Sequence, residues 1–185
     1  EGHRQRTASR CGAQMKTLTL VRHAKSSWKH PELQDWDRPL NKRGRRDAPA
    51  MGRRLADRGF WPDRLISSPA ARTLATAEAI AAEIRYPLED IVHDARLYSA
   101  DAIDLLDIVR ELSDILDHVA LVGHNPALTD LANRLATGSD IDNVPTCGIV
   151  EMDFDTDSWL DVGTVKATRF LFDYPKRDRE QESTP

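Results

Sequence analysis

The chain is poor in cysteine: Cys11 and Cys147 are the only two in 185 residues. They form no C-x-x-C pair and no zinc-like Cys/His array, which excludes a disulfide framework and a zinc finger. A reducing cytoplasm is the expected setting. Long apolar runs are missing too. No uninterrupted stretch approaches the roughly 20 residues that span a bilayer, and the polar, arginine-rich start (residues 1–14) has nothing of the signal-peptide kind. An excess of positive charge is also absent. Lys+Arg number 26 against 30 Asp+Glu, a formal charge of −4, which argues against a dedicated nucleic-acid binder. Nine glycines and ten prolines without a period exclude collagen-like and low-complexity classes. What is present, 40 % hydrophobic and 30 % charged residues, is an ordinary globular balance. The length suits one domain over residues 15–174, with 1–14 as an N-terminal extension and 175–185 as a polar tail.

Between these ends, strand-like and helix-like segments alternate. Residues 17–21, 64–67 and 119–122 are short and apolar and read as buried strands. Residues 91–92, 148–154 and 167–172 are weaker candidates. The last two flank Asp155-Thr156-Asp157-Ser158, as a late antiparallel pair would. Asn41 is placed to cap a helix from Lys42 to about Arg58, which Gly59 stops and Pro49 should bend or shorten. Ser68-Pro69 and Asn125-Pro126 each put a cap residue before a proline at a first helical position. Apolar stripes follow both, and residues 101–112 carry another. The alternation predicts an α/β fold around a mostly parallel central sheet.

In open α/β sheets, ligands bind beyond the carboxyl ends of the strands, and the three clearest strands run into unusual chemistry there. They lead into Arg22-His23-Ala24-Lys25-Ser26, into Ser68-Pro69-Ala70-Ala71-Arg72, and into Gly123-His124-Asn125-Pro126. Parallel strands would bring Arg22, His23, Arg72 and His124 to one edge, beside two helix N-termini. Guanidiniums offer forked donors to tetrahedral oxyanions, and no acidic cluster is evident to hold magnesium. A phosphoryl group is the expected occupant, with neither metal nor cofactor. A neutral imidazole, of reference pKa about 6.5, can attack phosphorus, which makes His23 the expected nucleophile. His124 is placed to steady the equatorial oxygens or pass protons. Taken singly, each feature has a plainer explanation: a surface Arg-His pair, a solvated helix arginine, a well-capped turn. Their coincidence at equivalent strand ends points to a site. His3, His30, His93 and His118 have no such context and read as surface or packing residues, and Cys147 as packed in or near a strand. Residues 42–58 hold seven lysines and arginines against two aspartates. That run reads as a solvated helix face or, alternatively, as a docking surface for an acidic partner.

Arg22-His23-Ala24-Lys25-Ser26 with Trp28, Asp37-Arg38-Pro39-Leu40 with Gly44, Ser67-Ser68-Pro69 with Arg72, and Gly123-His124-Asn125 stand in an order that resembles the histidine phosphatase superfamily. The likeness spans roughly residues 16–173. Alanine after Arg-His, then Lys-Ser, together with the small size, resembles the short SixA-type phosphohistidine phosphatases more than the phosphoglycerate mutases. The resemblance implies a three-layer α/β/α sandwich with a mostly parallel mixed sheet, phosphoglycerate mutase-like. It implies that His23 becomes phosphorylated, that Arg22, Arg72 and His124 complete the pocket, and that Ser26, Asn125 and Lys29 contact substrate. Water would then release phosphate without metal or cofactor.

Two departures from the mutase-like branch stand out: Lys29 replaces an asparagine, and no glutamate proton donor follows Arg96-Leu97, where Tyr98, Ser99 and Asp101 stand. Asp37 and Asp101 remain as weaker acid candidates. An alkoxide departs poorly without a strong acid, whereas a protonated phosphoramidate expels neutral imidazole. Phosphohistidine on a protein is therefore the expected substrate, and a phosphatase of small phosphomonoesters the nearest alternative. A non-catalytic phosphate-binding module is a third reading. A dinucleotide binder is disfavoured because no G-x-G-x-x-G follows a strand. The expected partner is a phosphorylated carrier or signalling domain or a small phosphorylated metabolite, not nucleic acid or membrane, and the expected state is a monomer.

Overall fold

The computed structural model describes residues 15–177. The extension at residues 1–14, with His3 and Cys11, and the tail beyond residue 177 lie outside the described residues. Strands β1 (Lys16–Arg22), β2 (Arg64–Ser67), β3 (Val92–His93), β4 (His118–Gly123), β5 (Ile149–Phe154) and β6 (Arg169–Asp173) form one sheet in the order β3-β2-β4-β1-β5-β6. The first four neighbours are parallel, while β5 runs antiparallel to β1 and β6 antiparallel to β5. The late pair is thus an antiparallel edge on a parallel sheet, as expected, but it is joined by residues 155–168, with a 3₁₀ turn at Trp159–Asp161, rather than by a tight turn at 155–158.

Both faces of the sheet are covered, so its central strands are apolar on alternate sides. Leu18, Leu20, Val119 and Leu121 pack against α3 (Ala102–Arg110) and α4 (Ala127–Leu135) through Leu105, Val109, Leu128 and Leu131. Val21, Leu65, Ala120 and Val122 pack on the other side against α1 (Lys42–Asp57) and α2 (Ala71–Ile84) through Met51, Leu55, Ala77 and Ile80. The result is the expected three-layer α/β/α sandwich. No described helix is long and apolar enough to cross a membrane.

Helix ends follow local chemistry only in part. Asn41 caps α1 by accepting from the Gly44 N–H, and Asp101 closes a capping box on α3. Pro49 does not shorten α1, which runs unbroken over 16 residues. A mid-helix proline costs about 3 kcal/mol, whereas burying Met51 and Leu55 returns about 1.5–3 kcal/mol each, so packing outweighs the lost bond. The two serine/asparagine–proline pairs do not cap as the sequence implies. Helix α2 starts only at Ala71, after Ala70, and α4 only at Ala127, after Pro126; neither has a side-chain cap. Ser68 and Asn125 make other contacts, described below. One close approach fixes the position of the loop after β1. A Cβ on Gly44 would meet the Lys25 carbonyl oxygen at 2.3 Å, so only glycine lets α1 lie directly against that loop.

Candidate active site

The strand ends are level. Arg22 on β1 pairs with Gly123 on β4, and Ser67 on β2 with Val122. Beyond them the His23 N–H donates to the Gly123 carbonyl (3.1 Å) and the Ser68 N–H to the Val122 carbonyl (3.0 Å). Arg22, His23, Ser68 and His124 therefore leave the sheet at one edge, and the first turn of α2 brings Arg72 to the same place. The His23 Nδ1–H donates to the Ala24 carbonyl at 2.8 Å, which leaves Nε2 with its lone pair. Thr76 of α2 holds this loop by accepting from the Ala24 N–H at 2.9 Å. His124 lies 5.4 Å from His23, ring centre to ring centre. Its Nδ1 accepts from Arg72 at 3.4 Å, and an arginine can only donate. Nε2 therefore carries the proton and donates to the Ser68 hydroxyl at 2.9 Å.

Of the residues singled out in the sequence, Arg22, His23, Arg72 and His124 converge. Asn125 stands beside them as a brace: its amide donates to Asn143 Oδ1 (2.9 Å) and the Val144 carbonyl (3.1 Å), the two acceptors that Arg22 also uses. Ser26 is buried, and its hydroxyl accepts from Arg38 at 2.5 Å. Lys29 is exposed on the following loop, with no side-chain bond into the site among the described residues. Asp37 is exposed, and Asp101 is occupied as the α3 cap.

The carboxylate that does reach the site is Asp35. It accepts from Arg72 (2.8 Å), from Arg38 (2.6 Å) and from the Tyr98 hydroxyl (2.9 Å), while its carbonyl accepts from Arg72 at 2.5 Å. Sequence reading missed Asp35, Tyr98 and Ser68 as site residues. The Asp37-Arg38-Pro39-Leu40 motif marked the segment, but two residues off the group that matters. Tyr98 arrives from a separate 3₁₀ turn, edge-on to His124 at 5.5 Å, and had no signal of its own.

Residues 18–108 match the family model of the histidine phosphatase superfamily (branch 1). An uncharacterised chloroplast protein of Arabidopsis thaliana is 33 % identical over 150 residues, 77 % of this chain and 68 % of that one. Among solved structures, SixA of Agrobacterium tumefaciens, provisionally assigned as a phosphohistidine phosphatase, superposes with a TM-score of 0.71 at 29 % identity, covering 84 % of this chain and 97 % of that one. A SixA of Nakamurella multipartita with the same provisional assignment gives 0.73 at 25 % identity, over 87 % and 96 %. The chain belongs to the histidine phosphatase superfamily. It is a hydrolase of phosphatase type, on a fold that phosphoglycerate mutase also adopts.

The electrostatics of this histidine phosphatase site follow from crowding cations around two imidazoles. Burial, reinforced by Arg72, Arg22 and Arg38 and only partly offset by the bond to Ala24, pushes His23 down to about 4. Burial and then Arg72 and His23 push His124 down to about 3. Both rings are neutral at pH 7. Burial works against ionisation of Asp35, but its bonds from Tyr98, Arg38 and Arg72 hold it down to about 2. The sign of the linkage is set by the unfolded chain, whose histidines take up protons near pH 6.5 while the folded rings do not. Stability is therefore lost as pH falls from about 6.5 towards 4. The ring C–H resonances of His23 and His124 in the ligand-free protein should stay unshifted from pH 8 to about 5.5. A midpoint near 6.5 for either ring in an NMR titration would mean that the site is solvated and that this account of it is wrong.

Proposed function

We propose that this protein removes phosphate from phosphohistidine on a partner protein, through a phosphorylated His23 and without a metal. His23 Nε2 attacks phosphorus in line, an N–P bond forms, and the bond from phosphorus to the substrate imidazole breaks. With its other ring nitrogen protonated, that imidazole leaves neutral. Water then attacks phospho-His23, the N–P bond breaks, and inorganic phosphate departs with Nε2 regaining its lone pair. Arg22 and Arg72 meet the equatorial oxygens, where charge concentrates in phosphoryl transfer, and neutral His124 joins them when its Nε2–H turns from the Ser68 hydroxyl to an oxygen.

The observation that carries phosphohistidine over a phosphomonoester is the state of Asp35. Among the described residues, the one carboxyl bonded into this site is locked between two guanidiniums and a phenol. It stays ionised and has no proton to give an alkoxide. A leaving imidazole needs none. Turnover of a phosphohistidine peptide and of an alkyl phosphate, measured side by side, tests this. The expected kcat/KM is at least about a hundredfold higher for the peptide, the scale of one general-acid contribution. Equal values, or a preference for the alkyl ester, would show that an acid acts here after all.

A further inference from the structure

We infer that the rim beside His23 docks an acidic face of the phosphorylated partner protein, through Lys25, Lys42 and Arg45 flanked by Trp28. This rests on the phosphohistidine-protein reading above. The rim is built by the close packing of α1 on the nucleophile loop. The Asn41 N–H donates to the Lys25 carbonyl at 2.9 Å, Ser26 bridges Leu40, and Gly44 lies flat on Lys25. Side chains from the first turn of α1 therefore stand next to a residue only two positions from His23.

The structure divides the basic run of α1 in two. In its C-terminal half, Arg53 pairs with Glu83 (2.9 Å), and Arg54 and Arg58 both pair with Asp173 (3.0 and 3.4 Å). All three cations of that half have a carboxylate partner within the fold. In the N-terminal half, Arg43 and Arg46 share the single Asp47. Lys25, Lys42 and Arg45 are exposed and have no carboxylate partner among the described residues; Arg45 donates only to the Leu40 carbonyl. The first turn of α1 contains no acidic residue. Cations at this end oppose the helix dipole, where carboxylates would stabilise. A stretch that works against its own helix, in a chain of net charge −4, has an external use for its charge.

Trp28 supplies the apolar anchor. It is 74 % exposed and stacks its ring on the Arg38 guanidinium at 3.3 Å. Arg38 in turn bonds Ser26 and Asp35, so the tryptophan is fixed at the mouth rather than free. An aromatic anchor bordered by complementary charge is the usual composition of a protein–protein contact. A small phosphorylated metabolite held by the guanidiniums would have no use for a rim on α1.

The experiment uses two substrates made with phosphoramidate: a purified acidic histidine-phosphotransfer domain and a short phosphohistidine peptide. In Lys42→Glu/Arg45→Glu, kcat/KM towards the domain should fall about tenfold at low salt, with the peptide value unchanged. The wild-type advantage on the domain should fade as salt rises, and Lys42→Gln/Arg45→Gln should give an intermediate loss. The melting temperature should hold or rise, because acids suit that end of α1, so the loss cannot come from unfolding. Unchanged turnover of the domain, or an equal loss on both substrates, overturns the docking surface. So does loss of binding to duplex DNA or anionic vesicles with turnover of the domain unaffected. If the wild-type protein leaves both the domain and the peptide untouched, the phosphohistidine reading fails first and the docking role with it.

Discussion

Replacing His23 with alanine should lower kcat by at least about 10⁴-fold, the scale on which loss of a nucleophile is felt, and abolish any trapped phosphoryl-enzyme. The expectation rests on geometry. His23 Nδ1 is committed to the Ala24 carbonyl, and the Ala24 N–H is held by Thr76, so Nε2 is both free and aimed by a rigid strand end. Burial among three arginines keeps that nitrogen unprotonated at neutral pH. Neither His124 nor Asp35 can replace it: His124 Nε2 is the atom donating to Ser68, and Asp35 is bound by Arg72 and Arg38. Rapid quench with labelled substrate should give an acid-labile, alkali-stable adduct in the wild type and none in His23→Ala. The arginine-lined pocket remains in the variant, so phosphate affinity should change little. Retention of turnover would move the chemistry to another residue, and binding without turnover in the wild type would make the protein a phosphate-binding module.

Arg72→Ala should cost about 10²–10³-fold in kcat/KM, as removal of a preorganised oxyanion donor typically does. Arg72 is the hub of the site: it donates to Asp35, to the Asp35 carbonyl and to His124 Nδ1. Its loss removes a fork of N–H donors from the phosphoryl oxygens and releases the His124 ring. Arg72→Lys should recover only part of the activity, because an ammonium cannot present the planar fork. The cost in folding should stay small. The Asp35 side chain is 49 % exposed, so the carboxylate left behind can turn to water. Comparing kcat/KM with the denaturation midpoint separates the two effects. A large fall in stability with near-normal activity would recast Arg72 as a structural tie between α2 and the 35–38 segment.

Much of the architecture could be read along the chain because it is written in short-range chemistry. The buried apolar runs of 17–21 and 119–122, the late antiparallel pair, the Asn41 cap and the Gly59 stop all survive in the structure. The prolines were misleading in a consistent way. Ser68-Pro69 and Asn125-Pro126 look like helix starts, yet their polar side chains are spent on His124 and on the Asn143–Val144 segment. A side-chain oxygen can serve a helix end or a site, and local sequence cannot say which partner is nearer. Ser26 is a similar case: its motif position marks it as a substrate contact, while its hydroxyl bonds Arg38.

What the sequence determined alone was the set of short apolar strands and the residues that follow them, Arg22, His23, Arg72 and His124, because both are local, and the parallel sheet then brings them to one edge. Tertiary structure decided which acid and which phenol complete the group. Asp35 and Tyr98 lie 63 positions apart and meet through a hydrogen bond that no spacing rule encodes. It also decided that five of the seven cations at 42–58 are answered inside the fold while Lys42 and Arg45 face outward, since Glu83 and Asp173 come from α2 and β6. Charges screened by distant partners are invisible in a linear count, and only folding reveals which of them remain free to attract another molecule.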